Sequence, residues 1–353
     1  MSPRALLPMC LSVIIPGLSG CARPESFMSS LEYPPLPGLA KLLARSACES
    51  ISVTGFEETL CHLAGVLQVE GDLPIAALTL LGDGGHPGHG WWLRADPVYL
   101  RPDQGKLLLF PGRSLHITEA EFKQWKTDLQ ATFAEWGFEW IALAPDRWYL
   151  GLPENPRIKT TGLSSVMGQD IAGALPQGLG AKTWRVRFNE MQMVLHASQI
   201  NQRREKQNQP TLNSLWFWAA GVLPDVATDW QYLWTNEPLG RGLAIKANVG
   251  FSTVPANAEV LLQASAPGHC VLVLEHAAAA ALDNEPEAWL TALQQLDKDW
   301  FAPLLVGLKQ GRLNELNIYP CDGRKLRLTR HGLRCFWRRS QAIAQFVLAK
   351  GRS

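Results

Sequence analysis

The chain has 353 residues, 46% of them hydrophobic, and its 33 Lys and Arg nearly balance 32 Asp and Glu for a formal net charge of +1. That length suits one large domain or two intimate ones, and the even charge argues against a disordered chain or a general polyanion-binding surface. Seven cysteines, odd in number and with no CxxC or CxxxC pair, argue against a disulfide framework or zinc knuckle and for free thiols in a reducing, cytoplasmic setting. No apolar run reaches the length of a membrane span, so no membrane partner is expected.

In chain order, Leu11 to Ile15 reads as a buried first strand closed by Pro16-Gly17. A competing reading makes Leu18-Ser19-Gly20-Cys21 a lipoprotein cleavage box with Cys21 as the lipidated residue. Pro8 and Pro16 interrupt any continuous signal helix, and the usual polar tether after Cys21 is absent, which favours the strand. After the extended connector Tyr33 to Pro37, Pro37 to Arg45 has helical apolar spacing with proline in the first turn. A second helix is predicted over Phe56 to Val66. Leu73 to Leu81 reads as a strand running into the glycine-rich turn Gly82 to Gly90.

From Trp91 the texture changes. Trp91 to Tyr99 and Lys106 to Phe110 read as strands, and Thr118 with Glu121 forms a capping box at the head of a helix to Trp136. Phe138 to Leu143 and Arg147 to Leu152 read as two further strands, giving an α+β module. A helix around Trp184 to His196 precedes a polar segment, Asn201 to Asn213. Leu215 to Ala219 and Val271 to Leu274 suit a sheet core. Asn284 to Leu308 reads as one long helix, opened by an Asn284–Glu287 capping box and ended by Lys309 and Gly311. The division expected is a core of 1–82 and 186–353 with an inserted α+β domain at 83–185.

Four constellations could carry chemistry. Asp83, His86 and His89 have metal-ligand types suited to zinc or manganese, or form a polar loop tip. Arg94 and Asp96 share one strand face, either as an anion-binding fork or as an ion pair joining strands. Asn201, Arg203, Arg204 and Asn213 could bind an anion or form a solvated loop. From Gly323 onward the chain has no acidic residue, and Arg324, Lys325, Arg327, Arg338 and Arg339 make a basic surface that would suit nucleic acid or an acidic protein, or simply be solvated. The 14 tryptophans mostly fall on apolar stripes, so core packing accounts for them better than ligand stacking. No GxSxG, P-loop or dinucleotide fingerprint is present.

Taken together, the opening strand and its Pro35-to-Arg45 helix resemble the alkaline-phosphatase superfamily. Leu93-Arg94-Ala95-Asp96-Pro97-Val98, Asn213-Ser214-Leu215-Trp216-Phe217-Trp218, Gly240-Arg241-Gly242-Leu243-Ala244 and the helix from Asp297 to Leu308 resemble archaeal-type cofactor-independent phosphoglycerate mutases. Leu78-Thr79-Leu80-Leu81-Gly82-Asp83-Gly84-Gly85 and Asp299-Trp300-Phe301-Ala302-Pro303 bring the chain nearest to a bacterial offshoot, the RpfE-type regulatory proteins. The resemblance implies a mostly parallel α/β sheet flanked by helices, with an inserted α+β domain. It also implies two divalent metals on strand-end aspartates and histidines, activating a serine.

The departures from that pattern are pronounced. The first strand ends in Pro16-Gly17 where the family has Asp-Gly, and Glu275-His276 is followed by five alanines where an Asp-x-x-x-His motif belongs. The final Asp-His pair falls at Asp322-Gly323, and the serine has no clear counterpart, although Ser19 lies near the turn. The expectation is a non-catalytic, phosphoglycerate-mutase-like regulatory or ligand-sensing protein with no metal cofactor, whose partner is a phosphorylated or acidic small molecule or another protein. One alternative is a Mn- or Zn-dependent mutase or phosphohydrolase with a rearranged site drawing on Asp83, His86, His89, His276 and Asp322. A second is a nucleic-acid-associated protein using the basic C-terminus.

Overall fold

The computed structural model describes residues 9–21, 27–28, 31–66, 71–264, 267–334 and 343–348. Its strands, in chain order, are β1 (Met9–Ile14), β2 (Ala47–Thr54), β3 (Trp91–Asp103), β4 (Lys106–Pro111), β5 (Glu139–Ala144), β6 (Arg147–Leu152), β7 (Ser214–Gly221), β8 (Trp230–Trp234), β9 (Gly250–Ser252), β10 (His269–Val273), β11 (Leu313–Tyr319) and β12 (Asp322–Thr329). They form two sheets, one in each of two compact units, Met1–Gly65 with Val226–Ser353 and Val66–Asp225. The segment expected as an insert, 83–185, lies inside the second unit, which also takes in 66–82 and 186–225.

The first unit holds a seven-stranded sheet in the order β2-β12-β11-β1-β10-β8-β9. From β11 across to β9 every pairing is parallel, while β12 runs antiparallel to both of its neighbours. β1 sits between β10 and β11 with Leu11, Val13 and Ile14 fully buried, which is why that stretch is a continuous apolar run. The Cys21 side chain is buried too, its thiol donating to the Ala280 carbonyl at 3.7 Å.

Helix α1 (Pro37–Arg45) opens on Pro37, as its sequence predicts, but it has no cap of its own. Its first amides are capped from elsewhere: the Asp297 carboxylate accepts from Gly38 N at 3.2 Å and from Leu39 N. Asp297 reaches them because the expected single helix from 284 to 308 is broken into Pro286–Leu296, a wide π-turn over Asp297–Phe301, and Ala302–Gln310. Pro303 supplies the reason, since it has no N–H to give the Asp299 carbonyl one turn back. The expected Asn284–Glu287 capping box is also absent. Asn284 sits at φ +57°, Glu285 takes the cap position without a side-chain bond, and Pro286 begins the helix. Gly311, left-handed at φ +81°, closes the last segment as expected.

The second unit is built on an antiparallel sheet ordered β4-β3-β6-β5, with β7 pairing the first half of β3. β7 therefore belongs here and not to the parallel sheet. The capping box at Thr118 is present: Thr118 N donates to Glu121 at 2.9 Å, and Glu121 N donates back to the threonine hydroxyl at 3.3 Å. Residues 73–81, expected as a strand, form instead a helix over Ile75–Gly82. Buried from Ile75 through Leu80, it shows no polar face to mark its period, so helix and strand share one pattern there. Its Ala76, Ala77 and Leu80 pack on Trp92 and Tyr149. The polar segment from Asn201 contains a short helix, Gln199–Lys206, capped by Ser198. Trp125, Trp148, Trp216, Trp289 and Trp300 are fully buried, as core packing requires.

Asp297→Ala should destabilise the fold by about 1–3 kcal/mol, the cost of leaving buried amides unpaired. Gly38→Ala should act in the same direction, because its Cβ would lie 2.8 Å from the Ala302 backbone nitrogen. Urea unfolding of the two variants checks both.

Candidate functional site

Parallel strands place their carboxyl ends at one edge, where open α/β sheets commonly bind ligands. In the first unit that edge gathers the loops after β1, β8, β10 and β11. They carry Ser19, Glu237 and Glu275 with His276, and the last of them leads into Asp322 at the head of β12.

The loop after β1 is held firmly. The Trp289 indole donates to the Gly17 carbonyl at 2.8 Å. Gly17 itself, at φ +81°, lies so close to the following chain that a Cβ would stand 2.7 Å from the Ala277 carbonyl. This places Ser19, 3% exposed, beside Asp322, and the serine hydroxyl donates to that carboxylate. Arg324 completes the group. Its Nε donates to Asp322 at 2.9 Å and its Nη2 to the serine hydroxyl at 3.3 Å. Nη1 donates to the Phe346 carbonyl at 3.1 Å, and the guanidinium lies 4.0 Å over the Phe346 ring.

Beyond β10, the Glu275 carboxyl is hydrogen-bonded to that of Glu237, and burial together with this acidic neighbour pushes its pKa up to about 9. At neutral pH the two carboxyls therefore share a proton. His276 is exposed. Asp83, in the second unit, accepts from Arg147 at 2.9 Å and from the Tyr149 hydroxyl at 2.6 Å, while His86 and His89 are exposed. The proposed metal ligands are thus engaged with other partners or dispersed. Among the described residues, no three His, Cys, Asp or Glu side chains are grouped to hold a metal ion. Such a donor set does not fit a two-metal centre.

The other sequence candidates mostly hold the scaffold. Arg94, 6% exposed, forks onto fully buried Asp96 at 2.8–2.9 Å and lies between the rings of Tyr149 and Trp218 at 5.2 and 5.3 Å. Burial works most strongly against this cation, yet Asp96 and Tyr149 together outweigh it and the pKa of Arg94 is raised. Asp96 also accepts from the Trp218 indole at 2.7 Å, so the fork is filled from within and offers no open face to an anion. Asn201 is buried, donating to the carbonyls of Leu195 and Leu212 and accepting from Leu212 N. Asn213 bonds Leu100 through both N–H and carbonyl, and Arg204 is paired with Glu121 at 2.7 Å. Only Arg203 of that cluster is exposed. On β12, Lys325 pairs with Glu49 at 3.2 Å and Arg327 with Glu315 at 2.6 Å, so neighbouring acids compensate that part of the basic surface. Arg338 and Arg339 lie outside the described residues.

One arrangement escaped the sequence reading. Ser12 Oγ is 2.9 Å from His269 Nε2, and His269 Nδ1 is 2.8 Å from Asp229. The serine and histidine are 257 positions apart, so no local motif could mark them. The order resembles a hydrolytic relay, but Ser12 is 1% exposed in mid-strand, with its backbone in ladders on both sides. No free N–H remains beside it to stabilise an oxyanion. The relay ties β1, β10 and the segment before β8 together across the sheet.

No family model matches the chain. It is 22% identical over 342 residues to a probable 2,3-bisphosphoglycerate-independent phosphoglycerate mutase of Geobacter sulfurreducens, covering 90% of this chain and 78% of that protein. Among solved structures, the PH0037 protein from Pyrococcus horikoshii superposes with a TM-score of 0.54 at 16% identity, covering 92% of this chain and 88% of that one. The cofactor-independent phosphoglycerate mutase from Thermoplasma acidophilum gives a TM-score of 0.46 at 15% identity over 92% and 90% of the two chains, and adds nothing to the assignment. The fold is the α/β, alkaline-phosphatase-like one, with a mostly parallel sheet flanked by helices, and the sequence shows weak homology to the mutases.

Asp96→Asn should cost about 3–5 kcal/mol of stability, because it strands the buried Arg94 charge; an unchanged denaturation midpoint would show that Arg94 is not held this way. Glu275 gives a prediction of definite sign. Its carboxyl keeps its proton to about pH 9 when folded but loses it near 4.5 when unfolded, so stability falls as pH rises through that window. Glu275→Gln should flatten this slope, equalling the parent near pH 5 and exceeding it at pH 8.5 in denaturation midpoints.

Proposed function

We propose that the protein is a non-catalytic, phosphoglycerate-mutase-like regulatory protein of the RpfE type. On this reading it works in the cytoplasm without Mn or Zn and responds to a phosphorylated or acidic small molecule. The observation that carries this is Arg324 seated on Asp322 and Ser19. The resemblance to the mutases makes Asp322 the one strand-end carboxylate retained from the metal set. Its charge is met here by the Arg324 guanidinium.

A guanidinium balances the carboxylate but does not do a metal's chemistry. It offers no open coordination position and cannot lower the pKa of a bound hydroxyl as a Lewis acid does. Ser19 donates its proton to Asp322 and accepts from Arg324, so its oxygen is engaged on both sides and buried. A metal approaching Asp322 would have to displace an arginine that Phe346 also holds through its carbonyl and its ring. The weak homology and the shared fold support descent from a phosphoryl-transfer scaffold. The occupied carboxylate supports loss of the reaction. The pairing of Lys325 and Arg327 with acids gives the nucleic-acid reading no comparable support.

The test is a phosphoglycerate interconversion assay with Mn2+ or Zn2+ supplied, beside elemental analysis of the purified protein. The parent should show neither turnover nor stoichiometric metal. Turnover that disappears in Ser19→Ala or Asp322→Ala would overturn the proposal.

A further inference from the structure

The second unit contains a cavity of about 410 Å³ between the turn at 153–157, the aromatic residues Trp136 and Phe138, and the helix Ala181–His196. Two arginines line it, and among the described residues neither has a side-chain hydrogen bond or ion pair. Arg187 lies over the rings of Phe138, Trp184 and Trp136 at 4.5, 5.1 and 5.8 Å. These contacts hold the guanidinium among the rings, and among the described residues its N–H groups make no hydrogen bond to the protein. Among the described residues no carboxylate forms an ion pair with it, and burial pulls its pKa down against the weaker influence of Glu190. This contrasts with Arg94, Arg147, Arg204, Arg324 and Arg327, each of which meets a carboxylate within 3 Å.

Arg157 is exposed and likewise has no side-chain partner among the described residues. It is held at φ +51°, a left-handed conformation that a branched-chain-free but bulky residue adopts at a cost of about 1 kcal/mol. The surroundings enforce that conformation. Gly180 N donates to the Arg157 carbonyl at 3.0 Å, and a Cβ at Gly180 would stand 2.1 Å from the Pro156 carbonyl. Gly178 is as tightly placed, its Cβ position 2.8 Å from the Arg157 carbonyl. The turn is therefore fixed and not a loose loop. Asn155, which also lines the cavity, accepts from Arg157 N at 2.8 Å through its carbonyl oxygen, and among the described residues its amide N–H groups have no partner. One carboxylate, Glu154, lies at the rim, exposed and without an ion pair to either arginine. Leu179, 87% exposed, adds an apolar flank.

We propose that this cavity binds a small organic oxyanion, a phosphate monoester or carboxylate, whose charged head meets Arg157 and Arg187 and whose apolar body lies against Leu179 and Trp184. Two cations favour a dianionic phosphate over a single carboxylate. The inference goes beyond the reading of the strand-end site and stands apart from it, since these residues belong to the second unit and Ser19, Asp322 and Arg324 to the first.

Isothermal titration calorimetry of the full chain with phenyl phosphate, benzoate, inorganic phosphate and neutral phenol tests it. Phenyl phosphate should bind best, more weakly as salt is raised, with phenol not binding. Benzoate matching phenyl phosphate would identify a carboxylate head within the same proposal. Arg187→Gln and Arg157→Gln should each weaken binding about tenfold or more, the scale of one charge-assisted contact. Arg157 is exposed, so its variant keeps the test valid if Arg187→Gln folds poorly. Arg324→Ala should leave binding unchanged, which separates this cavity from the strand-end site. Absence of binding by every oxyanion at 10 mM (roughly the −2.7 kcal/mol level), or affinity untouched by both arginine substitutions, would overturn the proposal.

Discussion

The parallel pairing of β1 with β10 and β11 governs the chemistry of the first unit. Parallel neighbours end at the same edge, so their following loops converge whatever residues they carry. The register sets Ile14 beside Val273 on one side and Tyr319 on the other, and brings the turn from Pro16 to Ser19 to the head of β12. That geometry survives although little of the expected ligand set does. Apolar burial along β1 and the packing of Gly17 against Ala277 fix it, and neither depends on a bound ion.

Charge compensation then explains what occupies the edge. Three carboxyl groups at strand ends would repel one another unless a cation or a proton intervened. Here Arg324 neutralises Asp322, and Glu275 shares a proton with Glu237. With one arginine and one proton, the three carboxyls reduce to a single net negative charge. The same logic runs through the second unit, where Arg94 with Asp96 and Arg204 with Glu121 are buried as pairs. Such pairs add little net stability, but losing one partner leaves a charge in a poorly polarisable surrounding. They constrain the sequence more strongly than they stabilise the fold.

How far the sequence reveals this depends on the range of each interaction. The first strand, the Thr118 capping box, the left-handed close at Gly311 and the α/β class are local patterns and could be read directly. The stretch at 75–82 could not, because a helix buried on all sides shows the same apolar run as a buried strand. Pro303 was visible in the sequence, but the π-turn it produces matters only because Asp297 then caps a helix some 259 positions away. For Arg94 the sequence leaves an anion-binding fork and a pair with Asp96 both open, and only the burial of the two side chains against each other distinguishes them. The sequence alone puts Arg324 on a basic surface, since nothing nearby indicates that Ser19, 305 positions earlier, is its neighbour.

Arginine that is already paired and arginine that is not serve different ends. Arg324 belongs to a closed group, hydrogen-bonded to both Asp322 and Ser19. Arg157 and Arg187 line a cavity and have no carboxylate partner among the described residues. Fixed guanidinium groups of this kind hold an oxyanion about equally well before and during a reaction, which raises affinity without lowering a barrier. A divalent metal at a strand end does otherwise, because it also changes the acidity and electrophilicity of what it binds. The guanidinium at the strand edge and those lining the second unit's cavity differ in what they leave open: the first is taken up by Asp322 and Ser19, while the others have no carboxylate partner among the described residues.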